Sequence, residues 1–149
     1  MIVTARKLAR SSPRRPRQAE LKRAISTAYY ALFQAMAKDT ADMLVGVGPS
    51  RPDKAWTHIY RSLQHGEAKT ACAVVRNLAF PANIVACAAT FVKLQEERHD
   101  ADYNPEHRVL RADAVAAIDR AEKAIEDLRA AARRDRKAFA VHLLHKRRR

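Results

Sequence analysis

An all-α, up-and-down helical bundle is the fold predicted by three features of this 149-residue chain. Ala occurs 30 times against only 3 Gly and 6 Pro, a mix that suits close-packed helices. Val, Ile and Thr together number 22, and no stretch alternates apolar and polar residues between turn signals as half-buried strands do. Apolar residues instead recur at three- and four-residue intervals over long stretches. The length allows one core rather than two, and short loops favour antiparallel neighbours.

The first helix is expected over residues 3–9, before the Ser11-Ser12-Pro13-Arg14-Arg15-Pro16 break. A long helix over 17–44 follows, because Leu21, Ile25, Ala28, Leu32, Met36 and Met43 fall on one face. Gly46-Val47-Gly48-Pro49 ends it. Pro52 and Asp53 suit the first turn of a helix running through Trp56, Ile59, Tyr60 and Leu63, with Gly66 interrupting before a short helix over 67–78. Pro81 opens the second long helix, over 81–102, with Ile84, Ala88, Phe91, Gln95, Arg98 and Asp102 on one seam. That seam passes from hydrocarbon to amide, guanidinium and carboxylate without changing face, so its polar end must meet other helices or another subunit. Asn104-Pro105 stops it, and Val115, Ile118, Ile125 and Leu128 mark a last helix over 111–132. Residues 1–132 thus read as one domain with a basic N-terminal segment, 1–17. Residues 133–149 read as a basic C-terminal helical extension or tail, which Phe139, Val141, Leu143 and Leu144 could extend as helix.

The net charge of +13 is unevenly spread. Residues 1–17 carry six basic groups and no acid, 133–149 carry eight against Asp135, and the stretch between is balanced. Basic ends either grip phosphate or stay solvated. Cys72 and Cys87 form no CxxC pair and read as buried small hydrophobes, and no histidine spacing matches a zinc motif, so neither metal nor cofactor is expected. The longest uncharged run, 77–92, is too short and too broken by Pro81 for a membrane span. The start lacks the apolar core of a secretory signal, so a cytoplasmic location is expected.

Three clusters are candidate sites. Tyr29 and Tyr30 point about 100° apart on a helix, so one enters the core while the other lines a groove edge. Arg98 and Asp102, at i and i+4, either pair with each other or leave Arg98 to hold a phosphate, with His99 or Tyr103 beside it to move protons. Arg61 and His65 share a face if their helix reaches that far, as a surface pair or a second phosphate contact.

The run Arg23-Ala24-Ile25-Ser26-Thr27-Ala28-Tyr29-Tyr30-Ala31-Leu32-Phe33, followed by Arg98-His99-Asp100-Ala101-Asp102-Tyr103 and an Ala-rich amphipathic helix, resembles the HEPN (higher eukaryotes and prokaryotes nucleotide-binding) domain family. In element order the likeness spans residues 3–132. It implies a bundle that forms a homodimer through its long helices, and in many members a metal-independent ribonuclease toxin encoded beside a nucleotidyltransferase antitoxin. Catalytic members place a His after Arg and four to six further residues; here positions 103–105 are Tyr, Asn and Pro. The likeness is therefore to the branch with R-x-x-A-D-Y. What it implies is an RNA- or nucleotide-binding module of a prokaryotic toxin–antitoxin or defence system, using Arg98, Asp102, Tyr29, Tyr30, Arg61 and His65. The alternative is an endoribonuclease whose site, at the dimer interface, employs Arg98, His99 and Tyr103.

Overall fold

The computed structural model describes residues 1–10 and 17–145. The Ser11–Pro16 break and the last four residues of the basic C-terminal segment lie outside that range. The described residues form α1 (Ile2–Arg10), α2 (Gln18–Val45), α3 (Asp53–Ser62), α4 (His65–Ala73), a 3-10 turn (Val75–Asn77), α5 (Ala82–Tyr103), α6 (Arg111–Ala130) and α7 (Arg133–Leu144), with no strand among them.

Helices α2, α5 and α6 pack mutually as the central three-helix core. The Gln18 amide exchanges two 2.8 Å hydrogen bonds with the Val109 backbone just before α6, while Asp39 lies near Leu128, so α2 and α6 run parallel. Helix α5 packs against both and runs the other way, since Ser26 meets Asp102 and Tyr29 meets Phe91. Ala114, Ala117, Ala121 and Ala124 are all buried along α6, which lets its backbone approach α2 and α5 closely and accounts for much of the Ala content. The large side chains sealed inside include Tyr29, Leu32, Phe91 and Ile118, each contributing about 1.5–3 kcal/mol by burial.

Element boundaries follow local chemistry. Gly46, at φ +114°, ends α2, and its N–H donates to Asp42 O. The Asp113 carboxylate accepts from the Leu110 N–H at 2.9 Å and caps α6. Asn104 leaves the helical region before Pro105 and closes α5.

Two expectations are corrected. The break between α3 and α4 falls at Leu63 and Gln64, both extended, rather than at Gly66. Burial of Leu63 draws the chain inward there, and Gly66 sits harmlessly in the first turn of α4. The helix expected over 67–78 therefore starts earlier and ends at Ala73, with only a 3-10 turn beyond. Of the two forms open to the C-terminal segment, residues 133–144 take the helical one: α7 packs on α2 and α4, burying Phe139, Ala140 and Leu143. Arg136 pairs with the buried Asp39, and His142 Nε2 donates to Ala71 O at 2.8 Å.

Candidate functional site

The polar end of the α5 seam meets the aromatic stretch of α2. Along α5, Ile84, Ala88 and Phe91 are sealed, Gln95 is half-buried, the Arg98 side chain is 13% exposed and that of Asp102 is 31% exposed. Tyr29 and Tyr30 divide as expected: Tyr29 is fully buried and Tyr30 lies at the edge. The Arg98 guanidinium sits 4.9 Å from the Tyr29 ring centre, 5.7 Å from that of Tyr30 and 6.0 Å from that of Tyr103, so three electron-rich rings surround one cation. Its ion pair with Asp102 is long, at 3.7 Å, and Asp102 also accepts from the Ser26 hydroxyl at 2.5 Å. The buried Nε of Arg98 and Oε1 of Gln95 have no hydrogen-bond partner among the described residues.

His65, the first residue of α4, enters this cluster from the other side. Its ring stacks on Phe33 with centroids 3.8 Å apart, and its Nδ1 lies 2.5 Å from the Tyr29 hydroxyl. Gln95 Nε2 donates to His65 O at 3.3 Å. Burial pushes the Tyr29 phenol well above its usual pKa, outweighing the opposite pull of Arg98. Burial, joined by Arg98, lowers that of His65. At neutral pH, then, the phenol keeps its proton and the imidazole is neutral. The Tyr29 O–H therefore donates to Nδ1, the acceptor within its reach, which puts the imidazole proton on Nε2.

The structure therefore joins Tyr29, Tyr30, His65, Arg98, Asp102 and Tyr103. It does not join Arg61, which is exposed on the last turn of α3 and cut off from His65 by the extended Leu63–Gln64 link. His99 is also set apart, because α5 stays helical through Tyr103 and keeps it exposed, with its ring 4.9 Å from that of Tyr103. Sequence reasoning missed Phe33 and Ser26. Phe33 was legible as the i+4 neighbour of Tyr29, whereas the approach of His65 depends on a turn between two short helices. Among the described residues no group of three or more His, Cys, Asp or Glu side chains is placed to hold a metal ion, and no helix is long and apolar enough to cross a membrane.

Comparison of the chain with protein-family models, curated proteins and solved structures gives no match.

Proposed function

We propose that the chain is a HEPN-like module that binds RNA or a nucleotide through Arg98, in a prokaryotic toxin–antitoxin or defence setting. The observation that carries this reading is the state of Arg98. Its guanidinium is held over Tyr29 and Tyr30, yet among the described residues its one charge partner is Asp102, at 3.7 Å, and its Nε is unused. A planar fork held this way matches a phosphate, and the exposed Tyr103 ring beside it offers a surface on which a base stacks. On this reading two copies associate through the α5 end, bringing two Arg98 residues to one cleft, and a nucleotidyltransferase-type antitoxin is the protein partner. The same reading has the module work in the cytoplasm.

Binding rather than cutting is favoured by the protons. His65 Nδ1 is occupied by Tyr29 and its Nε2 carries hydrogen, so neither nitrogen is free to accept a proton from a ribose hydroxyl. Tyr103 stands at the place of the catalytic His, and a phenol is a poorer general base than an imidazole at neutral pH.

The test is equilibrium binding of a mixed single-stranded RNA. Arg98→Ala is expected to weaken it more than tenfold, a loss of about 1.4 kcal/mol or more, and Arg61→Ala to leave it within about twofold. Equal losses for the two variants would reduce the cleft to nonspecific charge.

A further inference from the structure

On the face of the bundle away from Arg98, α1 lies in the trough between α2 and α6 and fills only part of it. It runs antiparallel to both: Arg6 pairs with Asp119 and Glu122, while Met1–Val3 reach the level of Ile125 and Glu126. Ala5 and Ala9 face inward and are fully buried, with Ile2 and Leu8 packed against the same core. Beyond the first turn of α1 the trough continues as an open groove of about 630 Å³.

Its walls are further stretches of the two helices on which α1 packs. Helix α2 contributes Ala31, Gln34, Ala35 and Lys38, and α6 contributes Glu122, Ile125, Glu126 and Arg129. Both sets are spaced i, i+3, i+4, i+7, so two parallel helices present matching stripes about two turns long. Trp56 and Tyr60, stacked 5.2 Å apart on α3, close the third side. The floor is apolar and the charges stand at the rim. Arg129 and Glu126 are exposed and make no ion pair or hydrogen bond among the described residues. Val3, 67% exposed, extends the apolar surface at the mouth.

We infer that this unfilled part of the trough is a docking site for an amphipathic α-helix of a partner protein, seated antiparallel to α2 and α6 in continuation of α1. Two observations select a helix: the paired stripes are the ridges and grooves that receive one, and the adjoining stretch of the same trough already holds one. The rim specifies the rest. The occupant presents Ala, Ser or Leu inward at i, i+3, i+4 and i+7, an acidic residue toward Arg129, and a basic residue toward Glu126, as Arg6 does toward Glu122; Lys38 is already paired with Asp42.

Trp56 is the one tryptophan of the chain, so its fluorescence reports directly on the groove. The experiment selects binders from a displayed library of helix-compatible peptides, about four turns long, on the intact protein and measures the enriched peptides by Trp56 fluorescence. Enriched sequences are expected to share the i, i+3, i+4, i+7 small apolar seam with an acidic flank. Binding should be lost by at least about tenfold in Ala35→Arg, which fills the floor. Val3→Asp, at an exposed position, should weaken it as well and covers the case in which Ala35→Arg disturbs α2. Peptides without helical periodicity, or ones that bind both variants as well as wild type, would overturn the proposal. So would a concentration-dependent Trp56 change with self-association that Ala35→Arg abolishes, since a second copy would then fill the groove. Saturable binding of a naphthalene sulfonate with no peptide enrichment would identify a small-molecule site instead and would also overturn it.

Discussion

The Tyr29 hydroxyl, from the middle of α2, donates to His65 Nδ1, at the start of α4, across 2.5 Å. This bond ties two helices 36 positions apart in sequence, fixes the histidine tautomer and supports the ring on which the Arg98 guanidinium rests.

Replacing Tyr29 by Phe removes the donor to His65 Nδ1, while the burial and the Arg98 charge that lower the His65 pKa stay in place. The fold is expected to lose about 1 kcal/mol. Urea unfolding reads the effect, and it should be absent when the same substitution is made in a His65→Phe background. Equal losses in both backgrounds would contradict the assigned hydrogen bond.

Stability should depend on pH through His65 in a defined direction. Its folded pKa lies below its unfolded one, so the folded state binds this proton less readily. Its contribution is complete above about pH 6.5 and is lost as pH falls through the lowered folded value. The urea midpoint of the wild type is expected to drop between about pH 7 and pH 5 by more than that of His65→Gln. Parallel curves would show that His65 does not govern this range.

Asp39 has the opposite sign. Burial raises its pKa despite Arg136, so the stability it contributes is present below the unfolded carboxyl value and is lost as pH rises through the folded one. The buried pair therefore positions α7 more than it stabilises the protein. Replacing Arg136 alone by Leu should cost about 3–5 kcal/mol, and replacing both partners by Leu should restore most of it. Calorimetry of the two variants decides, and equal losses would contradict this account.

The long helices and their buried faces were legible because periodicity over about twenty or more residues leaves little ambiguity. The seam from Ile84 to Asp102 grades from sealed to open in the order its chemistry predicts. Short helices were less so. Leu63 and Gln64 carry no turn residue, and the chain bends there only because Leu63 finds space in the core. That bend separates Arg61 from His65 and also delivers His65 to Tyr29, so one tertiary event removed a predicted site residue and completed another site. Arg6 and Arg136, counted in sequence with the basic ends, turn out to be structural, held by Asp119 with Glu122 and by Asp39. A carboxylate on the core face of α2 was the one hint available.

Deleting residues 133–149 to test the basic C-terminal segment would strip Phe139 and Leu143 from the core, at about 3–5 kcal/mol for the aromatic ring alone. The informative variant neutralises Arg133, Arg134 and Lys137 on the solvent side of α7 with Gln. If these residues grip RNA, the slope of log K against log salt should flatten by about 0.7 for each phosphate released, with unchanged unfolding. An unaltered slope would mean that their charge is only solvated.

Whether the Arg98 cleft holds RNA without cutting it is read by following one end-labelled mixed RNA with the wild-type protein in excess chelator, scoring binding and strand integrity in the same samples. The expected outcome is saturable binding, lost in Arg98→Ala, with the RNA intact over hours in wild type, His99→Ala and Tyr103→Phe. Rapid cleavage by the wild type that disappears in both Arg98→Ala and Tyr103→Phe would contradict it and establish a metal-independent ribonuclease.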